Sequence, residues 1–325
     1  MDDSAAATVV STLHLPRLGV ELELVRPLPA EVLKRSNGPG SRAGSDAEDS
    51  TGLLRWHQSS HLLAGFVAVH AELVRGKRVL ELGCGAVPSV GLAAAAGGAA
   101  HVDLTDCSTD ALHFARRNAE RNAPALQAAV GVRELDWQAP MPLRAATSGV
   151  YEAAVEQCYD VVMGSELMYH WTDLQALART VRRHLTPGGV FLCVNHFRVW
   201  DQYRAWVEAA RAQGLVCYEL HPEDVADDLG DEVIADLGIF PKPSRASGDR
   251  FVVMLRPAGA TTGGDSWSDQ DVSEKADLPW LGGLRGALKC VHLDRDDAEE
   301  VERILFAGDD VDDLLAIGGF SDDED

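Results

Sequence analysis

The sequence predicts a doubly wound α/β domain with a mostly parallel sheet, on three observations. From residue 77 onward, short apolar runs alternate with helix-length segments. The first run, Val79-Leu80-Glu81-Leu82, empties into a tight turn on Gly83 and Gly85, and an alanine-rich helix starts at Pro88. The last run, 250–256, follows only a weak helical stretch, which fits a final strand that returns antiparallel.

Each element follows from its local pattern. Residues 13–26 alternate apolar and polar side chains, the signal of a half-buried strand or hairpin. Residues 36–51 are rich in Gly, Ser and Asp and read as a flexible insertion. A helix is expected over about 57–74, with Leu62, Leu63, Phe66, Val67 and Val69 on its apolar face. Seven strands are expected near 78–82, 101–105, 128–133, 159–164, 190–195, 215–220 and 250–256. Helices are expected near 88–96, 109–121, 172–185 and 201–213. Gly97-Gly98 ends the first of these, Thr172 and Gln175 form a capping box, and Gly214 stops the last.

Composition narrows the class. No apolar run approaches the ~20 residues that span a bilayer, and the acidic N-terminus has neither a signal-peptide core nor an Arg-rich transit pattern. Six scattered cysteines without a Cys-x-x-Cys pair point to reduced thiols in a cytosolic or nuclear protein. The net charge of −22 argues against a nucleic-acid partner. Residues 258–325 carry −14 of it, so the chain divides into an N-terminal segment (1–51), a central domain (52–257) and an acidic tail (258–325). Val301, Ile304 and Leu305, with Val311, Leu314 and Leu315, leave two readings of that tail: solvated chain, or a segment that folds onto a basic partner.

The strand–turn–helix at 79–96 lets backbone N–H groups approach a ligand beside a helix N-terminus. Glu81 and the missing third glycine turn the reading away from a dinucleotide fingerprint. The run resembles the first motif of class I methyltransferases, which bind S-adenosylmethionine; the alternative is an ordinary turn of another doubly wound fold. That resemblance implies a Rossmann-like seven-stranded sheet and a pocket beyond the carboxyl ends of its first strands. Asp106, 23 residues after Gly83 and at the end of the second strand, would bind ribose hydroxyls. Its alternatives are a helix N-cap role and competition from Asp103, which falls inside the strand. Asp136 and Trp137, after the third strand, offer an acceptor and a purine-sized face for adenine.

The fourth strand empties into Ser165-Glu166-Leu167-Met168-Tyr169-His170, where a methyl acceptor would meet the cofactor. Methyl transfer is an in-line displacement and depends on alignment more than on acid catalysis. Glu166 would attract and orient a lysine ammonium, and the ring and hydroxyl of Tyr169 would position it. The competing reading makes Glu166 a helix cap and Tyr169 core. Five features in order resemble the family-16 protein methyltransferases over about residues 52–257: Gly52-x-x-Arg-Trp56-x-x-Ser, the Glu-x-Gly-x-Gly turn, Thr-Asp106, Arg-Arg-Asn118-x-x-x-Asn122, and Leu-Asp-Trp137 with a following acid-x-x-Tyr. The resemblance implies that Trp56, Glu81, Gly83, Cys84, Gly85, Asp106, Asp136, Trp137 and Ser165 line the cofactor pocket and that Glu166 and Tyr169 face the acceptor. Many lysine-modifying members carry Asp where this chain has Glu166; the Glu version resembles the histidine-modifying branch.

The expected function is S-adenosylmethionine-dependent methylation of a lysine in a protein substrate. Histidine or small-molecule methylation is the alternative, and an inactive cofactor-binding adaptor working through the tail is an alternative of another class. Metal chemistry is not expected: His57, His61 and His70 share a helix without an acid or Cys at ligand spacing. Neither a Walker-type phosphate loop nor a Gly-x-Ser-x-Gly elbow occurs. Residues 222–249, with Phe240-Pro-Lys-Pro, are left open as a substrate-facing lid.

Overall fold

The computed structural model describes residues 8–27, 58–139, 144–145, 158–197, 200–239, 241–244, 249–256 and 289–290. The strands are β1 (Thr8–Leu15), β2 (Val20–Pro27), β3 (Arg78–Glu81), β4 (His101–Asp106), β5 (Ala129–Glu134), β6 (Arg144–Ala145), β7 (Tyr159–Ser165), β8 (Leu185–His196), β9 (Val216–Leu220), β10 (Asp249–Leu255) and β11 (Lys289–Cys290). The helices are α1 (Gln58–Val69), α2 (Ser89–Ala96), α3 (Thr109–Asn122), α4 (Leu174–His184), α5 (Trp200–Ala212), α6 (Pro222–Leu229) and α7 (Asp231–Asp236).

The main sheet has the order β11-β9-β10-β8-β7-β3-β4-β5-β6. Seven strands form its body, and the two-residue β6 and β11 extend its edges. β5, β4, β3, β7 and β8 run parallel, while β10 lies antiparallel between β8 and β9. The expected antiparallel return is therefore present. The chain moves from β3 through β4 to β5, then crosses back to β7 on the other side of β3. That reversal opens a crevice at the carboxyl ends of β3 and β7.

Alternation along each strand divides the core into two layers. Val79, Val161, Phe251 and Val253 face the layer that holds α1, α2 and α3. Leu80, Val162, Val252 and Met254 face the layer that holds α4 and α5. Helix α2 is buried along its whole length because its residues are small. A Cβ at Gly91 would approach Leu104 Cδ2 to 2.3 Å, so only glycine lets the helix lie this close to the sheet.

Helix α1 buries Leu62 to Ala68 without a break, and a helix apolar all round needs cover on every side. The cover comes from β1 and β2 and from α6 and α7. The hairpin adds Leu13, Leu15, Leu22 and Leu24 to the core. Two asparagines on α3 hold its edge as a partner strand would. Asn118 Oδ1 accepts from Val25 N–H at 2.6 Å and its Nδ2 donates to Val25 O at 2.8 Å. Asn122 makes the same pair of bonds with Glu23, at 2.8 Å each. Segment 222–239, open in the sequence, folds as α6 and α7 and packs Val225, Leu229, Ile234, Leu237 and Ile239 into the core. Phe240 lies outside the described residues, as do the 36–51 insertion and the two acidic tail segments around Val301 and Val311. Of the tail, β11 is described, paired antiparallel with Tyr218 and Glu219 of β9.

One local expectation is corrected. Thr172 does not cap α4; Asp173 does, its Oδ1 accepting from Ala176 N–H at 2.9 Å. An Asp one residue later starts the helix one position on and caps Ala176 N–H instead of Gln175 N–H, which releases Thr172 for the turn before it.

Candidate functional site

The segments leaving β3, β4, β5 and β7 meet at the strand-order reversal. After β3, Gly83 (φ +58°) and Gly85 (φ +59°) both adopt left-handed backbone, which glycine tolerates without steric cost. A Cβ on Gly83 would come within 2.9 Å of Leu167 Cδ2 and 3.4 Å of the Trp137 ring. The missing side chain thus keeps open the place where the β3, β5 and β7 segments converge.

The turn is bound to the end of β4. Gly85 N–H donates to Asp106 Oδ2 at 2.9 Å, Cys84 N–H to Thr105 O at 2.8 Å, and Thr105 Oγ1 to Glu81 O at 2.6 Å. Ser108 N–H donates to Asp106 Oδ1 at 2.9 Å. Ser108, not Asp106, is the N-cap of α3. Asp103 is fully buried within the strand. Burial alone would raise its pKa, but hydrogen bonds from His101, Tyr159 and Arg133 hold its carboxyl at about 2. Arg133 Nε lies 2.6 Å and Tyr159 Oη 2.7 Å from that carboxylate. Asp103 is engaged in the sheet and Asp106 stands at its lip.

Glu81 lies on the same strand face as Val79, toward α2. Its Oε2 accepts from Gly91 N–H at 2.9 Å, in the first turn of that helix. Burial pushes its carboxyl up to about 8, opposed by the Gly91 N–H and reinforced by the charge of Asp106. Burial, then the charges of Asp106 and Glu81, push the Cys84 thiol well up, so it is no thiolate nucleophile. Beyond β5, Asp136 is exposed and its Oδ1 accepts from Gln138 N–H at 2.8 Å. Trp137 is half-buried, packed against the α4–α5 layer.

The β7 lip carries the second half of the crevice. Ser165 Oγ lies 2.7 Å from Ser60 Oγ at the start of α1. Among the described residues Glu166 is the only non-glycine with positive φ, at +52°, a conformation that costs ~1–3 kcal/mol and clusters at functional sites. Its backbone N–H donates to Val194 O at 2.9 Å. Its Oε1 accepts from the Ser59 hydroxyl and from His196 N–H, the latter at 2.9 Å. Burial pushes its carboxyl above the usual carboxylate range; Ser59, the His196 N–H and the His196 ring charge pull it back.

The following loop is fixed. Met168 N–H donates to Asn195 Oδ1 at 3.0 Å, and Gln202 Nε2 donates to Met168 O at 3.1 Å. Thr172 Oγ1 accepts from Tyr169 N–H and donates to Leu167 O, both at 3.0 Å. This holds the Tyr169 ring stacked on Trp171, centroids 4.9 Å apart and planes 4° from parallel. His170 packs edge-on against Trp171. Trp171 is 38% exposed, one of two exposed large apolar residues among those described.

The structure therefore gathers Glu81, Gly83, Cys84, Gly85, Asp106 and Trp137 on one side and Ser165, Glu166 and Tyr169 on the other, joined through Leu167. Asp136 stands at the rim. Trp56 and His57 lie outside the described residues. Sequence reasoning missed Ser59, Ser60, His196 and Trp171 as neighbours of the lip. Ser59 had a signal, as the last residue of the 52–59 motif; His196 had none. His61 Nδ1 lies 2.6 Å from Leu237 O and His70 Nε2 2.6 Å from Asp228 Oδ2. Among the described residues no cluster of three or more His, Cys, Asp or Glu can hold a metal, and no helix is long and apolar enough to cross a membrane.

S-adenosylmethionine presents an adenine ring, a ribose diol and an amino-acid end. The residues fit such a ligand: a space at Gly83 that a Cβ would fill, an acid at the end of β4 bound to the same turn, and an indole beside the Gly83 space. A family model described as lysine methyltransferase matches residues 43–208. Protein-lysine N-methyltransferase EFM3 of Chaetomium thermophilum is 29% identical over 212 residues, 63% of this chain and 55% of that protein. The calmodulin-lysine N-methyltransferase of Arabidopsis thaliana is 29% identical over 135 residues, 41% of each. A solved methyltransferase from Pyrococcus furiosus aligns at 17% identity and a TM-score of 0.40, over 57% of this chain and 77% of that one. The chain spans about half the length of the curated relatives it matches. The matched range covers half of the chain and spans the glycine turn, the end of β4 and the β7 lip, and the chain belongs to the lysine methyltransferase family of class I methyltransferases, whose cofactor is S-adenosyl-L-methionine.

Proposed function

We propose that this protein methylates a lysine side chain of a protein substrate, with Glu166 and Tyr169 at the acceptor. The observation that carries this reading is the state of Glu166. Its backbone is held left-handed and, among the described residues, both of its side-chain hydrogen bonds fall on Oε1. Oε2 is the oxygen left to meet a ligand.

The cofactor supplies an electrophilic methyl group on a positively charged sulfur and leaves as neutral S-adenosylhomocysteine. Asp106 accepts from the ribose hydroxyls, Trp137 covers the adenine with Asp136 accepting from its amino group, and Ser165 and the 83–85 turn complete the wall. Glu81 braces that turn from behind through Gly91 N–H. Glu166 attracts the incoming ammonium through Oε2. A carboxylate raised by burial is a stronger base, so it takes one ammonium proton and leaves a neutral amine. The Tyr169 ring, stiffened by its stack on Trp171, aligns that nitrogen, which bonds to the methyl carbon as the carbon–sulfur bond breaks toward sulfur. The product amine carries the new methyl group and the positive charge.

The relatives' names support a protein substrate, because both are described as lysine methyltransferases, one for calmodulin. The net charge of −22 disfavours nucleic acid, and the acidic tail suits a basic partner. Free cysteines at 84, 107, 158, 193 and 217 support a cytosolic or nuclear setting.

Labelled methyl transfer from S-adenosylmethionine into a cell lysate, followed by acid hydrolysis, tests the reading. Methyl-lysine in the protein fraction is expected. Label confined to methyl-histidine or to low-mass material overturns it.

A further inference from the structure

The start of α1 meets the β7 lip at two consecutive points. Ser59 donates to Glu166 Oε1, and Ser60 Oγ lies 2.7 Å from Ser165 Oγ. These contacts join segments more than a hundred residues apart, and Ser59 is itself buried. Neighbours on a helix point about 100° apart, so two successive hydroxyls reach two successive lip residues only if the lip lies across the helix end. The second bond on Oε1 comes from the His196 backbone, at the end of β8. Oε1 is thus held from two directions, by one side chain and one main-chain group. The main-chain donor is present whatever residue stands at 196. Among the described residues, the hydroxyl of Ser59 is the side-chain partner of Oε1 that a substitution can remove.

We propose that Ser59 is the positioning residue of the acceptor site: it fixes Oε1 of Glu166 so that Oε2 points to the incoming lysine. The proposal rests on the role assigned above to Glu166. Without the hydroxyl, the carboxylate keeps one anchor and rotates about its last torsion, a broad, roughly two-fold rotation with no preferred aim of its own. Ser60 meets the same lip at the Ser165 hydroxyl, and among the described residues it makes no hydrogen bond to Glu166.

The hydroxyl also donates to the charged form of the carboxyl, so its removal shifts the Glu166 titration upward. The test uses the full chain, labelled with carbon-13 in glutamate and saturated with S-adenosylhomocysteine, with the Glu166 signal assigned by its loss in Glu166→Gln. In Ser59→Ala the titration midpoint is expected to rise by about one pH unit, while Ser60→Ala leaves it where it was. Ser59→Thr restores the native midpoint and Ser59→Val does not. These two variants match in shape, so the comparison stands even if the alanine variant folds poorly. A midpoint shared by the native, threonine and valine forms overturns the proposal. The readout needs no methyl transfer: if Glu166 has no part in the reaction, Glu166→Gln stays fully active while the Ser59 effect on titration persists.

Discussion

Gly85 N–H donates to Asp106 Oδ2 at 2.9 Å, binding the turn after β3 to the acid at the end of β4. One carboxylate therefore anchors the glycine turn, and the proposed cofactor site adds the ribose hydroxyls to its partners. Asp106→Ala is expected to lose both functions and weaken S-adenosylmethionine binding by roughly 100-fold, the equivalent of ~3 kcal/mol for charge-assisted hydrogen bonds. Asp106→Asn keeps an acceptor for Gly85 and is expected to fall between. Calorimetric titration checks both; native affinity in the alanine variant would remove Asp106 from the pocket.

Gly83→Ala combines two penalties. A Cβ at φ +58° is strained by ~1–2 kcal/mol, and it would sit 2.9 Å from Leu167 Cδ2 and 3.4 Å from Trp137. The turn and the indole must shift together, so cofactor affinity is expected to drop by at least tenfold with a small change in melting temperature. An affinity unchanged within twofold would show that the space at Gly83 holds no ligand.

Glu81 makes stability depend on pH. Its carboxyl titrates at about 8 in the folded chain against 4.5 in the reference state. The unfolded chain releases that proton first as pH rises, so the group's contribution is full below about 4.5 and is lost progressively up to about 8. Glu81→Gln keeps an oxygen for Gly91 N–H and removes the titration. Its melting temperature is expected to vary less between pH 5 and pH 8 than that of the native protein. Parallel curves for the two proteins would contradict a protonated Glu81.

Asn118 ties the hairpin to the glycine turn, because its Nδ2 also donates to Ala86 O at 2.8 Å. Asn118→Ala leaves Val25 N–H, Val25 O and Ala86 O without their partner, at ~1 kcal/mol or more for each lost bond. A destabilisation of about 3 kcal/mol is expected in denaturant unfolding. Asn118→Asp retains one acceptor but loses two donors, and is expected to be nearly as damaging. A loss below about 1 kcal/mol in both would show that the hairpin is held by its leucines alone.

Much of this was legible in the sequence because it is local. Strand alternation placed Val79 and Leu80 on opposite faces, and the spacing from Gly83 to Asp106 reflects one helix and one strand. The Asp-rich stretch 223–236 was not legible as helix. Its few apolar residues gain their meaning from α1, which must be covered on all sides. The anchoring of Glu166 was hidden for another reason: its partners stand 107 and 30 residues away, in segments with no common pattern. Asp103 and Asp106 could be told apart, since two residues of strand separate an interior position from a lip. Thr172 misled because Asp173, beside it, is an equally good cap.

The lip residue Glu166 carries the central claim, and methyl transfer by Glu166→Gln tests it most directly. Glutamine keeps the shape and an oxygen for His196 N–H but can neither attract an ammonium nor take its proton. Calorimetric affinity for S-adenosylmethionine is expected within about threefold of native, with transfer to lysine reduced by at least about 100-fold, in keeping with the roughly 10²–10⁴ contributed by a positioned base. Full transfer by this variant, with methyl-lysine still the product, would contradict it.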